Sequence, residues 1–376
     1  MRRRRFVSGT LGALSGIALG PAAVRAAASA PRAGDWQAVP APGSTPAAQL
    51  RRIAAAGPGL AWAVGEEGQG TSAPTRALAM VWNGTAWAKT DLSHLAYEGR
   101  LSDVAGVCAD AAWSVGSPTG SASPLLRWDR TTWREAAFPG KGEPDVRLSA
   151  VAVGSDRRVW ISGTRGGAAR LLLGDGKRWR WLDPLPVAGV NLYRVVPRTP
   201  DEVWVCGDQA SGGGWVGFVA RWNGSWTVLP SFLGLRQTIA DVHPVAADDV
   251  WAVGNEFGVG GPPGRPGNPI LRHWDGTAWN TVEPGFTLGS LSSIAGDAQG
   301  RPAWISAWNY QDQSRSTYLR HDAGTWTVVR GPAGPAPSPY VNDVARVPGT
   351  SGFWSAGMTR SAPYPPTEAY TERFDV

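Results

Sequence analysis

The sequence is poor in the residues that most often carry metal and redox chemistry. It contains two cysteines and four histidines in 376 residues. The histidines, His94, His243, His273 and His321, do not have the spacing of a zinc site. A phosphate-binding loop, a dinucleotide-binding fingerprint and a Gly-x-Ser-x-Gly nucleophile elbow are also missing from the sequence. We therefore expect no metal ion and no cofactor.

Long hydrophobic runs are absent as well, and the N-terminus has the layout of a cleaved export signal rather than a membrane anchor. Arg2–Arg5 form a positive segment, Phe6–Gly20 a mildly apolar one, and Ala26–Ala30 a run of small residues. About fifteen residues rich in Gly, Ala and Ser are too few to span a bilayer. We predict a signal peptide over residues 1–30, with cleavage after Ala28, and no membrane insertion.

The segment Arg3-Arg4-Arg5-Phe6-Val7 resembles the twin-arginine export signature. The resemblance implies export of a chain that has already folded in the cytoplasm, and a general secretory signal is the alternative. A secreted, extracellular protein is expected in either case.

Without residues 1–30 the chain has almost no net charge. The formal charge of the full chain is +6, but five arginines and no acid fall within residues 1–30, which leaves 31 basic against 30 acidic residues. A nearly neutral surface has no strong attraction for phosphates, so we expect no nucleic-acid partner.

The sequence is rich in tryptophan, with 21 in total, and many of them recur at a fixed position. Seven short runs, most ending in Gly, open with Trp62, Trp113, Trp160, Trp204, Trp251, Trp304 and Trp354. Successive tryptophans of this set are 51, 47, 44, 47, 53 and 50 residues apart. A supersecondary unit repeated at this period is typical of a β-propeller.

Each repeat contains the signals of four short strands. A Leu/Ile/Val-x-x-Val/Ile signature precedes the Trp-x-x-Gly strand, a third strand follows, and a fourth carries a second tryptophan after a tight turn. The turns include Asn83-Gly84 and Asp275-Gly276, which favour two-residue β-hairpins. The sequence therefore predicts an all-β, seven-bladed β-propeller with four antiparallel strands per blade, as a single domain over residues 31–376.

The last repeat stops at Phe374-Asp375-Val376, where its third strand should end. Asp35–Pro40 resembles the fourth strands of other repeats and precedes the first one. We predict that this N-terminal strand completes the last blade, so that the ring closes without an exposed edge.

The chain resembles the Trp-rich secreted propellers of bacteria, whose repeats read Asp-x-Val-Trp-Ala-Val-Gly…Trp-Asp-Gly-Thr-x-Trp, and the match covers residues 35–376. The turns at His321–Trp326 and Trp274–Trp279 are similar to the Asp-box of sialidase-type propellers, without its serine. The Arg-Ile-Pro motif of sialidases is absent. The resemblance implies the fold and no particular reaction.

Candidate binding residues lie on the face that carries the loops between second and third strands, which we call the long-loop face. Most tryptophans are explained by packing between blades, and only Trp215 and Trp308 fall outside the repeat pattern. Long, variable loops on a rigid scaffold often carry binding sites. The candidates in these loops are Glu66, Phe257, Trp308, Tyr310, Asp312 and Tyr364.

A second group of candidates lies two residues after the first residue of each signature. In a propeller this position lies beside the central channel, and its charged members are Arg52, Asp103, Arg194, Asp241 and Asp343. They are expected either to contact a ligand or to pair with one another around the channel mouth.

We predict a non-enzymatic, monomeric recognition module that binds an extracellular glycan or protein through the long-loop face. The alternatives are a glycosidase or polysaccharide lyase that uses channel carboxylates, with Glu66 approaching Asp103 or Asp343, and a scaffold subunit of an extracellular complex. A glycosidase would need two carboxyl groups separated by roughly 5 to 9.5 Å.

Overall fold

The computed structural model describes residues 34–70, 74–95, 97–118, 123–231, 234, 236–257, 267–333, 338–360 and 367–375. The predicted signal peptide and the candidate Tyr364 lie outside these residues. Every regular element within them is a β-strand, and none is a helix long and apolar enough to cross a membrane.

The strands form seven antiparallel sheets of four strands each. The first strand, β1 (Trp36–Val39), precedes the repeats. Blade 1 contains β2 (Gln49–Gly57), β3 (Leu60–Glu67), β4 (Arg76–Trp82) and β5 (Trp87–Lys89). Blade 2 contains β6 (Gly99–Cys108), β7 (Ala111–Pro118), β8 (Leu125–Trp128) and β9 (Trp133–Glu135). Blade 3 contains β10 (Arg147–Val153), β11 (Val159–Arg165), β12 (Ala168–Gly174) and β13 (Trp179–Trp181).

The remaining blades follow the same order. Blade 4 contains β14 (Val190–Thr199), β15 (Glu202–Ser211), β16 (Gly214–Trp222) and β17 (Trp226–Val228). Blade 5 contains β18 (Gln237–Ala246), β19 (Asp249–Glu256), β20 (Asn268–Trp274) and β21 (Trp279–Thr281). Blade 6 contains β22 (Gly289–Gly296), β23 (Pro302–Asn309), β24 (Thr317–Asp322) and β25 (Thr325–Arg330). Blade 7 contains β26 (Tyr340–Arg346), β27 (Phe353–Arg360) and β28 (Thr367–Phe374), and β1 is its fourth strand.

The closure of the ring is confirmed strand by strand. β1 pairs antiparallel with β28, so that Trp36 lies opposite Phe374 and Val39 opposite Thr371. The indole of Trp36 is 3% exposed and stacks on Tyr318 of blade 6 with ring centroids 4.0 Å apart. The first and last parts of the propeller thus share one sheet. In this sheet β28 is paired on both sides, with β27 and with β1.

The hydrophobic core is divided among the boundaries between blades. Seven buried clusters are found, and each is built from two neighbouring blades. All seven tryptophans of the Trp-x-x-Gly position are buried. Trp62, for example, packs in the cluster between blades 1 and 2, with the ring of Trp128 at 6.2 Å. The repeated tryptophans are therefore packing residues, as the repeat predicts.

The innermost strand of every blade carries a β-bulge at the same place. The register shifts between the signature residue and the residue two places later, at Leu50/Arg52, Leu101/Asp103, Leu148/Ala150, Leu192/Arg194, Ile239/Asp241, Leu291/Ser293 and Val341/Asp343. A bulge leaves one residue outside the ladder and redirects the side chains next to it. It thereby decides which side chains project towards the centre of the ring.

Candidate functional site

Five charged side chains from five blades meet at the centre of the ring. Arg194 Nη1 lies 3.2 Å from Asp103 Oδ1, and Arg194 Nη2 lies 3.1 Å from Asp241 Oδ2. The same Nη2 lies 3.5 Å from Asp343 Oδ1. Arg52 Nη1 is 3.6 Å from Asp343 Oδ1, and Arg52 Nε is 3.9 Å from Asp103 Oδ1. Of the two arrangements expected for these candidates, mutual pairing is the one observed.

The three aspartates also join neighbouring blades through backbone amides. Asp103 Oδ2 accepts a hydrogen bond from the Val151 N–H at 3.0 Å, which links blade 2 to blade 3. Asp241 and Asp343 make the equivalent bonds, at 3.2 Å to the Ile294 N–H and at 2.8 Å to the Ile53 N–H. Each accepting carboxylate thus satisfies an amide next to the bulge of the following blade.

The electrostatics of this central network follow from its burial. Burial raises the pKa of Asp103, while the nearby guanidinium groups of Arg194 and Arg52 oppose that rise. Burial alone would lower the pKa of Arg194, but the three surrounding carboxylates raise it well above its usual range. Arg194 therefore stays charged between carboxylates that are only 1–2% exposed.

Glu66 is not among the contacts of this central network. The sequence places it in a loop, but it lies within β3, opposite Gln49 of β2. Its carboxylate accepts two hydrogen bonds of 2.6 Å from the Arg51 guanidinium and one from the Gln49 amide. The expectation that Glu66 approaches Asp103 or Asp343 is replaced by pairing within its own blade, because β3 is longer than the repeat pattern suggested.

Asp208 occupies the position of Glu66 in blade 4 and is not among the candidates predicted from the sequence. Its side chain is 4% exposed and accepts hydrogen bonds from Asn191 Nδ2 at 2.9 Å, the Tyr193 hydroxyl at 2.8 Å and Thr238 Oγ1 at 3.3 Å. An acid directly after Trp-x-x-Gly occurs in blades 1 and 4, and this was the signal available in the sequence.

Three aromatic side chains of blades 6 and 7, which we call the blade 6 aromatic cluster, lie together on the long-loop face. Trp308 is the last residue but one of β23 and lies opposite Ser290, and its ring is 5.7 Å from that of Tyr310 and 5.5 Å from that of Tyr340. Tyr310 is 41% exposed, and its N–H donates to the Leu288 carbonyl at 3.0 Å. Trp308 was predicted in a loop but lies at the end of a strand, which anchors the cluster to the blade.

Polar groups surround this cluster. The Tyr340 hydroxyl is 3.1 Å from Ser290 Oγ, and Gln313 Nε2 donates to the Tyr310 carbonyl at 3.1 Å. Asp312 Oδ2 is 3.0 Å from Arg330 Nη2. Hydrogen bonds from Ser314 lower the pKa of Asp312, with a further contribution from the charge of Arg330. The cluster therefore combines aromatic surface with charged and hydrogen-bonding groups on ordered backbone.

The other aromatic candidates lie apart from these contacts. Phe257 is 51% exposed, and its N–H donates to the Arg236 carbonyl at 2.8 Å. Trp215 is 43% exposed on β16, beside the Gly212-Gly213 turn of blade 4. No ring contact of either residue is found within the described part of the chain, so they are single exposed aromatics.

The long-loop face also contains a cleft of about 990 Å³ between β4 and the connection from blade 1 to blade 2. Its lining includes Glu67, Lys89, Leu92, Tyr97 and Glu98. Lys89 Nζ is 2.7 Å from Glu67 Oε2, a carboxylate that also accepts the Thr45 N–H at 2.8 Å. Lys89 and Glu67 are thus paired with each other rather than free to bind a ligand.

Within the described residues, no group of three His, Cys, Asp or Glu side chains is arranged to hold a metal ion. Cys108 and Cys206 are both free. Burial raises the pKa of the Cys206 thiol well above its ordinary value, so this sulfur behaves as a small apolar group.

No family model and no curated protein matches this sequence. Solved structures do resemble the fold. YCF48 from Cyanidioschyzon merolae is 16% identical with a TM-score of 0.57, and the alignment covers 91% of this chain and 99% of that one. A structure described as YCF48 bound to D1 peptide is 14% identical with a TM-score of 0.57, covering 93% and 98%. The SapL1 lectin in complex with α-methyl fucoside is 12% identical with a TM-score of 0.50, covering 78% and 98%. At these identities the likeness concerns the fold alone, which is that of a β-propeller.

Proposed function

We propose that this protein is an exported, non-enzymatic recognition module that binds a glycan or a protein segment through its long-loop face, at the blade 6 aromatic cluster. The observation that carries the proposal is the position of Trp308. It lies outside the buried clusters between blades, and its ring is 5.7 Å from that of Tyr310 in its own blade and 5.5 Å from that of Tyr340 in blade 7. Rigid aromatic groups beside polar ones are the usual anchors of recognition surfaces.

The geometry suits a ligand that has both an apolar face and hydrogen-bonding groups. Sugar rings and peptide side chains both have this character. Tyr310 offers an exposed ring, and the ion pair of Asp312 and Arg330 is formed by the loop that follows it and by β25 of the same blade. Because β23 and the Tyr310–Leu288 hydrogen bond fix the backbone here, little conformational entropy would be lost on binding.

The solved relatives support this class of function without identifying the ligand. One is described as bound to a peptide, and another is a lectin with a bound fucoside. Both are propellers of the same general architecture, so the scaffold accommodates either ligand type.

Catalysis by the channel carboxylates is the weaker alternative. Asp241 Oδ2 and Asp343 Oδ1 lie 3.1 and 3.5 Å from the same Arg194 nitrogen, so their separation alone is compatible with the roughly 5 to 9.5 Å of a glycosidase pair. Their environment, however, is not compatible with catalysis. Each carboxylate is 1% exposed, and the contacts to Arg194 and backbone amides would have to break before a substrate could enter.

The test is binding of the mature protein to a glycan array and to a peptide or secretome library, followed by titration of each ligand found. Trp308→Ala and Tyr310→Ala are each expected to weaken binding by about tenfold or more, as removal of a central aromatic anchor does. Trp215→Ala is the matched control, because this indole is exposed on the same face without an aromatic neighbour among the described residues.

Full retention of binding in both cluster variants would refute the site. Turnover of a polysaccharide that is abolished by Asp241→Asn would instead support the enzyme alternative. If this protein is recovered only in complex with one partner at a fixed stoichiometry, and never alone, the scaffold alternative is favoured.

A further inference from the structure

We propose a second binding surface, for acidic polysaccharide, on the outer hairpin of blade 3, which comprises Gly174–Trp181. It lies on the face opposite the long-loop face, because turns between third and fourth strands emerge there. The proposal is independent of the blade 6 aromatic cluster and goes beyond the function proposed above.

The hairpin carries three cations that the turn itself does not need. Lys177, Arg178 and Arg180 are exposed, and none makes a salt bridge with another described residue. The turn is closed by Asp175, whose Oδ1 accepts the Lys177 N–H at 2.8 Å and the Arg178 N–H at 2.7 Å. The acid of the hairpin is thus oriented towards backbone amides, and the three cations face solvent.

The equivalent turns of other blades contain a side-chain hydrogen bond that the blade 3 turn lacks. In blade 5, Thr277 Oγ1 donates an additional hydrogen bond of 2.7 Å to the turn acid Asp275. Thr85 and Thr131 make the same bond in blades 1 and 2. Lys177 stands at this position in blade 3 and cannot make the bond. Blade 3 thus carries an exposed cation where blades 1, 2 and 5 carry a threonine that stabilises the turn.

Aromatic surface lies beside these cations. Trp179 is half-buried and packs edge-on against Trp113 of blade 2, with ring centroids 5.3 Å apart. Trp181 is also half-buried, and its Nε1 donates to the Pro139 carbonyl at 2.7 Å. Both indoles are held in place and keep part of their surface open.

The hairpin borders three clefts. One of about 580 Å³ between blades 2 and 3 is lined by Lys177 and Trp179, together with three arginines and three acidic residues of blade 2. One of about 530 Å³ between blades 3 and 4 is lined by Arg180 and Trp181, together with Arg158, Asp183 and Asp201. A smaller one of about 230 Å³ lies beside Arg178, Trp179 and Arg180. The two larger clefts are of the size that takes one small ligand, and the hairpin joins them at the rim.

An extended polymer that crosses this rim fits the arrangement better than a compact ligand. Guanidinium groups bind carboxylates and sulfates through two parallel hydrogen bonds, and indole faces pack against sugar rings. The shared chemistry is a chain of sugar rings that carry carboxylate or sulfate groups.

The experiment measures binding of the mature protein to immobilised heparin and to polygalacturonate, with neutral dextran and duplex DNA as comparison polymers, at increasing salt from about 50 mM. The test variant carries the residues of the blade 5 turn, Lys177→Thr, Arg178→Ala and Arg180→Asn. The control variant loses the same charge elsewhere, through Lys141→Ala, Arg147→Ala and Arg301→Ala. Trp308→Ala tests the other face.

We expect wild-type binding to at least one acidic polysaccharide and none to dextran. The hairpin variant should bind about tenfold or more weakly, with a shallower salt dependence, and the control variant should stay within about threefold of wild type. Trp308→Ala should bind normally, which separates this proposal from the previous one. The heparin and polygalacturonate arms distinguish sulfate from carboxylate recognition.

Three results would overturn the proposal. They are no wild-type binding to either acidic polymer at about 50 mM salt, an equal loss in the control and hairpin variants, and duplex DNA binding as tight as that of the polysaccharides. Should the triple variant fold poorly, the single charge reversal Arg180→Glu replaces it, because this exposed side chain makes no hydrogen bond with the described residues.

Discussion

Asp103 of blade 2 accepts the backbone N–H of Val151 in blade 3 at 3.0 Å, through a carboxylate that is also 3.2 Å from the Arg194 guanidinium of blade 4. One side chain therefore links three consecutive blades. Asp241 likewise connects blades 5 and 6 to Arg194 of blade 4, and Asp343 connects blades 7 and 1 to the same arginine across the ring. The centre of the ring is therefore held by polar contacts, whereas the boundaries between blades are held by apolar packing.

Removal of the Asp103 carboxylate should weaken the junction between blades 2 and 3. Asp103→Ala leaves the Val151 N–H buried without an acceptor, which costs about 1–3 kcal/mol. Hydrogen exchange of the segment Leu148–Val153 should accelerate, and the unfolding midpoint should fall. Asp110→Ala serves as the control, since its side chain is 50% exposed. Unchanged exchange at Val151 would show that the hydrogen bond contributes little.

Arg194→Met should destabilise the protein more than loss of an exposed arginine. It leaves Asp103, Asp241 and Asp343 as three buried carboxylates near a single cation, and loss of one partner from a buried ion pair costs about 3–5 kcal/mol. Chemical denaturation measures the effect. Adding Asp343→Asn to this variant should restore part of the loss, because it removes one uncompensated charge.

The control for the network is Arg301→Met, whose i,i+4 ion pair with Asp297 lies on the surface. Its effect should stay below about 1 kcal/mol. If the double variant Arg194→Met/Asp343→Asn is less stable than Arg194→Met alone, the electrostatic explanation is wrong.

Loss of β1 should open the ring at blade 7. A mature chain that starts at Ser44 lacks Trp36 and leaves β28 as an unpaired edge, which favours aggregation. Trp36→Ala alone should cost about 3–5 kcal/mol, since the indole is buried against Tyr318 and Trp304. Thermal unfolding checks both changes. Melting of the truncated chain at the wild-type temperature would contradict the closure, and Trp215→Ala should leave the melting temperature nearly unchanged.

Glu372 should make stability depend on pH in the opposite sense to a typical surface acid. Burial raises its pKa, although Ser316, Tyr370 and Tyr318 donate hydrogen bonds to it and oppose the rise. A raised pKa in the folded state means that the stabilising contribution is complete below the pKa of the unfolded chain and is lost as pH rises through the folded-state pKa. Glu372→Gln removes this loss of stability at higher pH, because the glutamine side chain does not titrate.

The measurement is the difference in melting temperature between Glu372→Gln and wild type across pH. It should be near zero in acid and favour the glutamine variant increasingly towards neutral pH. Glu368→Gln is the matched control, because Glu368 lies on the same strand with an exposed side chain. A difference that shrinks as pH rises would reverse the assignment.

Export by the twin-arginine route should depend on the arginine pair of the signal. Arg3→Lys together with Arg4→Lys in the full chain is expected to leave the folded protein in the cytoplasm, since the resemblance implies recognition of both guanidinium groups. Fractionation of cells and medium reports the outcome. A general secretory signal tolerates both changes, so undiminished secretion of the variant would favour that route.

The sequence by itself was enough to predict the seven blades, the four strands in each and the closing strand. These features depend on local patterns, namely a tryptophan at each second strand, Asn/Asp-Gly turns and a last repeat that lacks its fourth strand. Since the apolar core of each blade packs only against the neighbouring blades, the repeat period carries this information directly.

Only the tertiary structure decided what the polar side chains do. Arg194 reaches Asp241 in the next blade, but also Asp103 and Asp343, and those contacts depend on the diameter of the ring and on the bulge that directs each side chain inwards. Glu66 pairs with Arg51 across the β2–β3 hairpin of blade 1, and Tyr340 of blade 7 lies beside Trp308 of blade 6 because the two blades are neighbours in the ring. A repeat pattern specifies where a residue lies within its blade, whereas partners from other blades are set by the packing of the whole ring.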